Sequence, residues 1–202
     1  MRLLYLDWPH LPLRLALGRE PRSDEVAVLG GHPWEAGSVL DHSRAAGALG
    51  VRRGQPLGTA HSLVPEASFL PADVAALTGP MEAALGALNE LAPAVEGETD
   101  PASGWFGRVL VGIEGLARLW GDEPTLVRRA VDLTRPAIPP EPRMGIGNTR
   151  FGAEVAARIG AGAIPPGDRR EEAAFLAPLP LGLLPADGAT QERFRILGLT
   201  RM

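Results

Sequence analysis

Short unbroken apolar runs alternate along this chain with segments whose apolar residues recur every three or four positions, so strands and helices are both expected. Leu3-Leu4-Tyr5-Leu6, closed by Asp7, reads as a buried strand. Leu11, Leu13, Leu15 and Leu17 fit either an alternating or a wound segment, and Pro9 and Pro12 suit a helix start better than a central strand. Residues 25–29 form a second strand candidate, closed by Gly30-Gly31, and residues 44–49 and 57–64 read as short helices. A helix is predicted over 80–91, with Pro80 at its first position and Met81, Leu85 and Leu88 on one face. Strands follow at 94–96 and 105–113, separated by a turn at 97–104. A helix from Glu123, with Leu126, Val127, Ala130 and Val131 on its face, must stop before Pro136. The last strand is 143–147, after which Asn148 or Thr149 caps a helix with Phe151, Val155 and Ile159 spaced by four. The tail from Glu171 is helical, with proline stops at 178, 180 and 185.

Setting aside residues 25–79 as an insertion leaves strand, helix, strand, strand, helix, strand. That is the split β-α-β-β-α-β order of a ferredoxin-like sheet, so the expected fold class is α+β.

Composition narrows the chemistry. The chain has 202 residues, 45% hydrophobic and 22% charged, which is ordinary for a globular protein. All 20 basic residues are arginine and cysteine is absent, so lysine chemistry, disulfides and thiol nucleophiles are excluded. Net charge is −4 but uneven: residues 61–125 carry two arginines against ten acids, and residues 126–202 eleven arginines against eight. A basic stripe is not evident, so strong unaided binding to duplex DNA is not expected. No signal peptide or apolar run of membrane-spanning length opens the chain, and a cytoplasmic, membrane-free protein is expected.

Five motifs in order carry a family resemblance. Residues 108–123, Arg-Val-Leu-Val-Gly-Ile-Glu-Gly-Leu-Ala-Arg-Leu-Trp-Gly-Asp-Glu, resemble the "LDisGcahLfGGE" stretch of ImuB-type proteins, the catalytically degenerate branch of the Y-family DNA polymerases. Leu4-Tyr-Leu-Asp7 sits where the first palm motif begins, and residues 48–57 look like the finger motif "fGVrsGM". Residues 144–150 with Ala153 and Ala156 resemble "GiasnK…A…A". Residues 175–180 and 197–200 resemble "fLapLP…LGi.T" at the palm–thumb joint. The resemblance implies a palm at 1–24 and 80–165, a small helical fingers insertion at 25–79, and a palm–thumb joint and first part of the thumb at 166–202. The chain stops at Thr200-Arg-Met before any little-finger domain, as a truncated piece or a short relative.

The departures set the functional expectation. Two-metal nucleotidyl transfer needs three carboxylates. Asp7 fills one position, but the Asp-Glu pair of the family falls on Gly107 and Arg108, and the second acid of the first motif on Pro9. The Tyr and Arg that grip triphosphate fall on Arg44 and Gly47, while the palm lysine keeps its charge as Arg150. Arg150, Arg52, Arg53 and Arg44 are therefore the candidate phosphate or DNA contacts. Asp7 alone, with Pro9 after it, reads as a cap for the next helix. Glu96, Glu98 and Asp100 read as a solvated turn, and His10, His32, His42 and His61 show no ligand spacing. Gly145-x-Gly147 reads as a tight strand-to-helix turn, and Trp34, Trp105 and Trp120 read as core.

The expectation is thus no enzyme and no cofactor, with magnesium entering only alongside polymerase activity. The resemblance implies an accessory protein of mutagenic translesion synthesis. Its partners would be a RecA-like ImuA-type protein, an error-prone C-family DNA polymerase, the sliding clamp and primer-template DNA. Two alternatives stand beside it: a divergent active nucleotidyl transferase using Asp7 with Glu96 or Glu98, and a simple primer-template-binding module.

Overall fold

A computed structural model describes residues 1–165 and 168–202. The boundary expected at residue 166 lies outside the described residues. Elements run β1 (Leu3–Asp7), α1 (Leu11–Leu17), β2 (Ala27–Leu29), β3 (Asp41–His42), α2 (Arg44–Ala48), α3 (Leu57–Leu63), β4 (Ser68–Leu70) and α4 (Val74–Leu91). They continue with β5 (Val95–Gly97), β6 (Arg108–Gly112), α5 (Ala117–Trp120), α6 (Glu123–Thr134), β7 (Arg143–Gly147), α7 (Arg150–Ile159), β8 (Gly162–Ala163), α8 (Arg169–Leu176) and α9 (Gly188–Ile196). A five-stranded sheet has the order β5-β6-β1-β7-β8, and a three-stranded sheet the order β3-β2-β4. Counting β1, β5, β6 and β7 as strands one to four gives the 4-1-3-2 order of a ferredoxin-like sheet, so the α+β expectation holds.

The chain divides into two compact units. One comprises residues 1–6, 110–128 and 143–202. Its core packs Leu3 and Tyr5 of β1 and Leu110 of β6 against Ala153 and Ala157 of α7. Alanines and glycines let α7 approach β7 closely: a Cβ at Gly145 would overlap Ala153 O and Ala157 N, and one at Gly147 would overlap Ala153 N. The Gly145-x-Gly147 pair therefore serves strand–helix contact along β7, beyond the turn that the sequence suggested. The buried face of α7 is Gly152, Ala153, Val155, Ala156 and Ala157; the expected stripe is displaced, and Ile159 lies exposed. Thr149 caps α7, its hydroxyl accepting from Gly152 N at 3.0 Å and donating to the buried Glu172 of α8 at 2.7 Å.

The other unit comprises residues 7–109 and 129–142. Helix α4 begins at Asp73, whose side chain accepts from Ala76 N, and Pro80 lies inside it where a helix start was expected. One hydrogen bond is forfeited at the proline, but Leu77, Met81, Ala84, Leu88 and Leu91 form one buried stripe. Packing of that stripe outweighs the local breaker. Residues 25–79 carry more strand than expected: β2 pairs antiparallel with β3 and parallel with β4, and β3 and β4 are too short to read from periodicity. Val28, Val39, Ala46, Val51, Leu57, Ala60 and Val64 form its core.

Candidate functional site

Asp7 ends β1 and Arg108 begins β6, neighbouring strands of the larger sheet. Arg108 Nε lies 3.9 Å from Asp7 Oδ1, and the guanidinium stands over the Trp105 ring, 5.8 Å from its centroid. Asp7 is not the N-cap residue of α1, contrary to expectation. The N-cap residue is His10, in the left-handed region at φ 53° and with no side-chain cap bond. Asp41 of β3 supplies the acceptor instead, its Oδ2 receiving Leu13 N at 3.2 Å. On α1, burial lowers the pKa of Arg14, while the negative charges of Glu20 and Asp7 oppose that shift.

Gly107 occupies its position by steric necessity. Its φ is +84°, and a Cβ there would come within 2.9 Å of both Trp8 O and Leu11 Cβ. Trp8 N also donates to Gly107 O at 2.8 Å, tying the two strand ends together. No carboxylate fits at 107 without moving this backbone. Pro9 lies in the turn between β1 and α1. Gly47 is comparably restricted, because a Cβ would meet the His42 ring at 2.8 Å.

The other candidate residues fall as follows. Arg53 donates to Pro101 O at 2.7 Å and to Ser103 O at 3.3 Å, clasping the turn that carries Trp105. Arg52 donates to Gly47 O at 2.6 Å and Val51 O at 2.8 Å. Both side chains thus have intramolecular partners. Arg44 is exposed at the first turn of α2, behind the Ser43 cap, and Arg150 is exposed at the first turn of α7, in the other unit. Asp100 Oδ1 accepts Ala102 N at 2.9 Å, a turn role, and Glu96 is exposed on β5.

Sequence reasoning missed three features. Trp34 is 80% and Trp105 38% exposed, whereas the buried tryptophan is Trp8. His10 and His42, 32 positions apart, stand with ring centroids 5.6 Å apart beside Asp41. Asp41 itself, lone and polar in a two-residue strand, gave no signal beyond its type.

Magnesium is the ion that the polymerase resemblance implies, and the donor set does not fit it. Among the described residues no group of three or more His, Asp or Glu side chains could hold a metal ion. Asp7 already faces guanidinium charge, and position 107 excludes a side chain.

Residues 6–158 match the impB/mucB/samB family. The chain belongs to that family. Within it, DNA polymerase IV of Dehalococcoides mccartyi strain CBDB1 is 26% identical over 186 residues, covering 90% of this chain and 45% of the relative. DNA polymerase IV of strain ATCC BAA-2266 is 28% identical over 203 residues, covering 98% of this chain and 49% of the relative. This impB/mucB/samB chain therefore spans about half the length of these relatives. The crystal structure of DinB from Sulfolobus solfataricus superposes with a TM-score of 0.74 at 16% identity, over all of this chain and 58% of that one. An insertion ternary complex of Dbh DNA polymerase gives 0.68 at 16% identity, over all of this chain and 59% of that one. These likenesses establish the Y-family polymerase fold. The relatives' names overturn the expectation that the chain is no enzyme, because the matched polymerases align with nearly its whole length. Finally, no helix among the described residues is long and apolar enough to cross a membrane.

Proposed function

We propose that this chain supplies palm and fingers surfaces with which a Y-family DNA polymerase engages primer-template DNA during translesion synthesis in the cytoplasm. Template-directed nucleotidyl transfer is the reaction class. The observation that carries the reading is the family match over residues 6–158, joined by polymerase IV relatives that align with 90% and 98% of the chain. An insertion ternary complex of Dbh DNA polymerase, with the same fold, supports the same reading. The residues around Asp7 do not fit a metal ion.

Fluorescence anisotropy with a labelled primer-template, followed by primer extension on the same substrate, tests the reading. Binding and incorporation that follows the template base are expected. Failure to bind DNA overturns the proposal, and binding without incorporation removes nucleotidyl transfer from it while leaving DNA engagement.

A second reading adds protein partners of the kind the ImuB resemblance implies: an ImuA-type RecA-like protein, a C-family polymerase and the sliding clamp. Trp34 favours it, 80% exposed and stacked on His32 at 4.7 Å, because a large exposed aromatic suits a protein contact. A pull-down with wild type and Trp34→Ala, expecting loss of one of these partners in the variant, tests it.

A further inference from the structure

Arginine stands where the resemblance leads one to expect a metal ligand, and this inverts the charge at that position. Arg108 is 35% exposed at its side chain, and 3.9 Å to Asp7 is an ion-pair separation too long for a hydrogen bond. Among the described residues its guanidinium makes no hydrogen bond, so its fork of donors is aligned by Asp7 but not consumed. Buried Arg14 on α1 is balanced first by Glu20 and then by Asp7, so it adds no net charge to the site. The Arg108 guanidinium beside Asp7 offsets the carboxylate that would draw a divalent cation, and it leaves arginine donors that suit an anionic oxygen.

The geometry is also held in place. Arg53 clasps the carbonyls of Pro101 and Ser103, Ser103 Oγ accepts Trp105 N at 3.1 Å, and Arg108 N donates to Trp105 O at 3.0 Å. Phe106 is buried between them. Trp105 and Arg108 therefore project from a braced turn, with the planar cation standing over the partly exposed indole ring. A planar guanidinium matches two oxygens of a phosphate, and an exposed indole offers a face to a base or sugar.

We propose that Arg108 and Trp105 form a metal-independent site for a DNA strand, with a backbone phosphate on the Arg108 guanidinium and the adjoining nucleoside against Trp105. This rests on the reading of the chain as a DNA-engaging polymerase module and specifies how that engagement is made. Asp7 orients the fork, and the phosphate takes the donors that Asp7 leaves unbonded. A dication is not required, because the arginine already supplies the charge.

The test is anisotropy of a labelled primer-template at matched ionic strength, in EDTA and in magnesium, with wild type, Arg108→Gln, Arg108→Lys and Trp105→Ala, each checked by far-UV circular dichroism. Wild-type Kd should differ by less than about twofold between EDTA and magnesium. Arg108→Gln should weaken binding about tenfold and reduce the salt slope by about one, the amount expected for one lost phosphate contact. Trp105→Ala should weaken binding about tenfold with the slope unchanged, as loss of stacking alone does. Arg108→Lys keeps the charge and should keep the slope, which guards against misreading a folding defect. Wild-type binding that requires magnesium, or variants that bind like wild type, overturn this inference and leave the functional reading standing. Displacement of the strand by an excess of free deoxynucleoside triphosphate in EDTA overturns the assignment of the phosphate to DNA. A wild type that binds no DNA overturns both.

Discussion

Asp41 Oδ2, buried on β3, accepts the backbone N–H of Leu13 at 3.2 Å, so helix α1 is capped by a residue 28 positions further along the chain. The same carboxylate takes His42 N at 2.9 Å and faces His10 Nδ1 at 3.3 Å through Oδ1. It joins the start of α1 to the smaller sheet. Asp41→Ala removes all three interactions in a buried setting and should destabilise the protein by about 2–3 kcal/mol. Asp41→Asn retains an acceptor and should cost less. Urea denaturation of both variants measures the difference, and equal midpoints for wild type and Asp41→Ala would sink this account of the cap.

Gly107 can be tested as a steric requirement. Gly107→Asp places a side chain at φ +84° and within 2.9 Å of the Trp8 carbonyl. It should lower stability by about 2 kcal/mol or more. Installing the acid should therefore weaken the fold before it builds a metal site. Thermal unfolding with and without magnesium reads both effects, and a stable variant that gains magnesium-dependent stabilisation contradicts the prediction.

Gly145 offers no slack, because the Cβ of an alanine would overlap backbone atoms of Ala153 and Ala157. Backbone cannot rotate away as a side-chain tip can. Gly145→Ala should cost about 3 kcal/mol or more, lowering Tm by about 6–12 °C for a chain of this size. Gly160→Ala, at the left-handed C-cap of α7 with nothing within 4 Å of its Cβ, should cost only about 1 kcal/mol. Differential scanning calorimetry on the pair separates crowding from backbone strain.

Acid sensitivity has one identifiable source near β2. Arg19 hydrogen-bonds both oxygens of Glu25 at 2.8 Å, and Arg22 N adds a third bond at 3.0 Å. The Arg19 bond leads, and together they hold the Glu25 carboxyl down at about 2, against an ordinary 4.5. A depressed folded-state pKa contributes stability that is complete above the ordinary value and lost as pH falls towards the depressed one. The Tm advantage of wild type over Glu25→Gln should thus be constant above about pH 5 and close between about 4.5 and 2. Solvent screening keeps the advantage small. Parallel Tm curves across that window would refute the assignment.

The larger sheet was legible because its strands are buried runs. Leu3, Leu4, Tyr5 and Leu6 are all 5% exposed or less, and such a run has one reading. Helices α6 and α7 were legible from their spacing, though the face of α7 was not: three alanines and one glycine on it carry close packing without carrying hydrophobic signal. Helix α4 was read short because Pro80 breaks the local rule and the stripe from Leu77 to Leu91 overrides it. Strands β3 and β4, of two and three residues, are shorter than any periodicity can register.

For the site, sequence alone determined which residue types stand on the matching positions: Asp7 kept, Gly107 and Arg108 in place of acids, arginine as the sole basic residue. Those are identities, and identity needs no coordinates. Only the tertiary structure decided what they do to one another. It showed that 107 has no room for a side chain, that Arg108 faces Asp7 without consuming its donors, and that Trp105 lies beside that guanidinium. It also gave the capping role to Asp41. The physical reason is distance: steric exclusion, charge pairing and capping are settled over a few ångströms between atoms that the chain separates by up to about a hundred residues, and spacing along the chain carries no record of them.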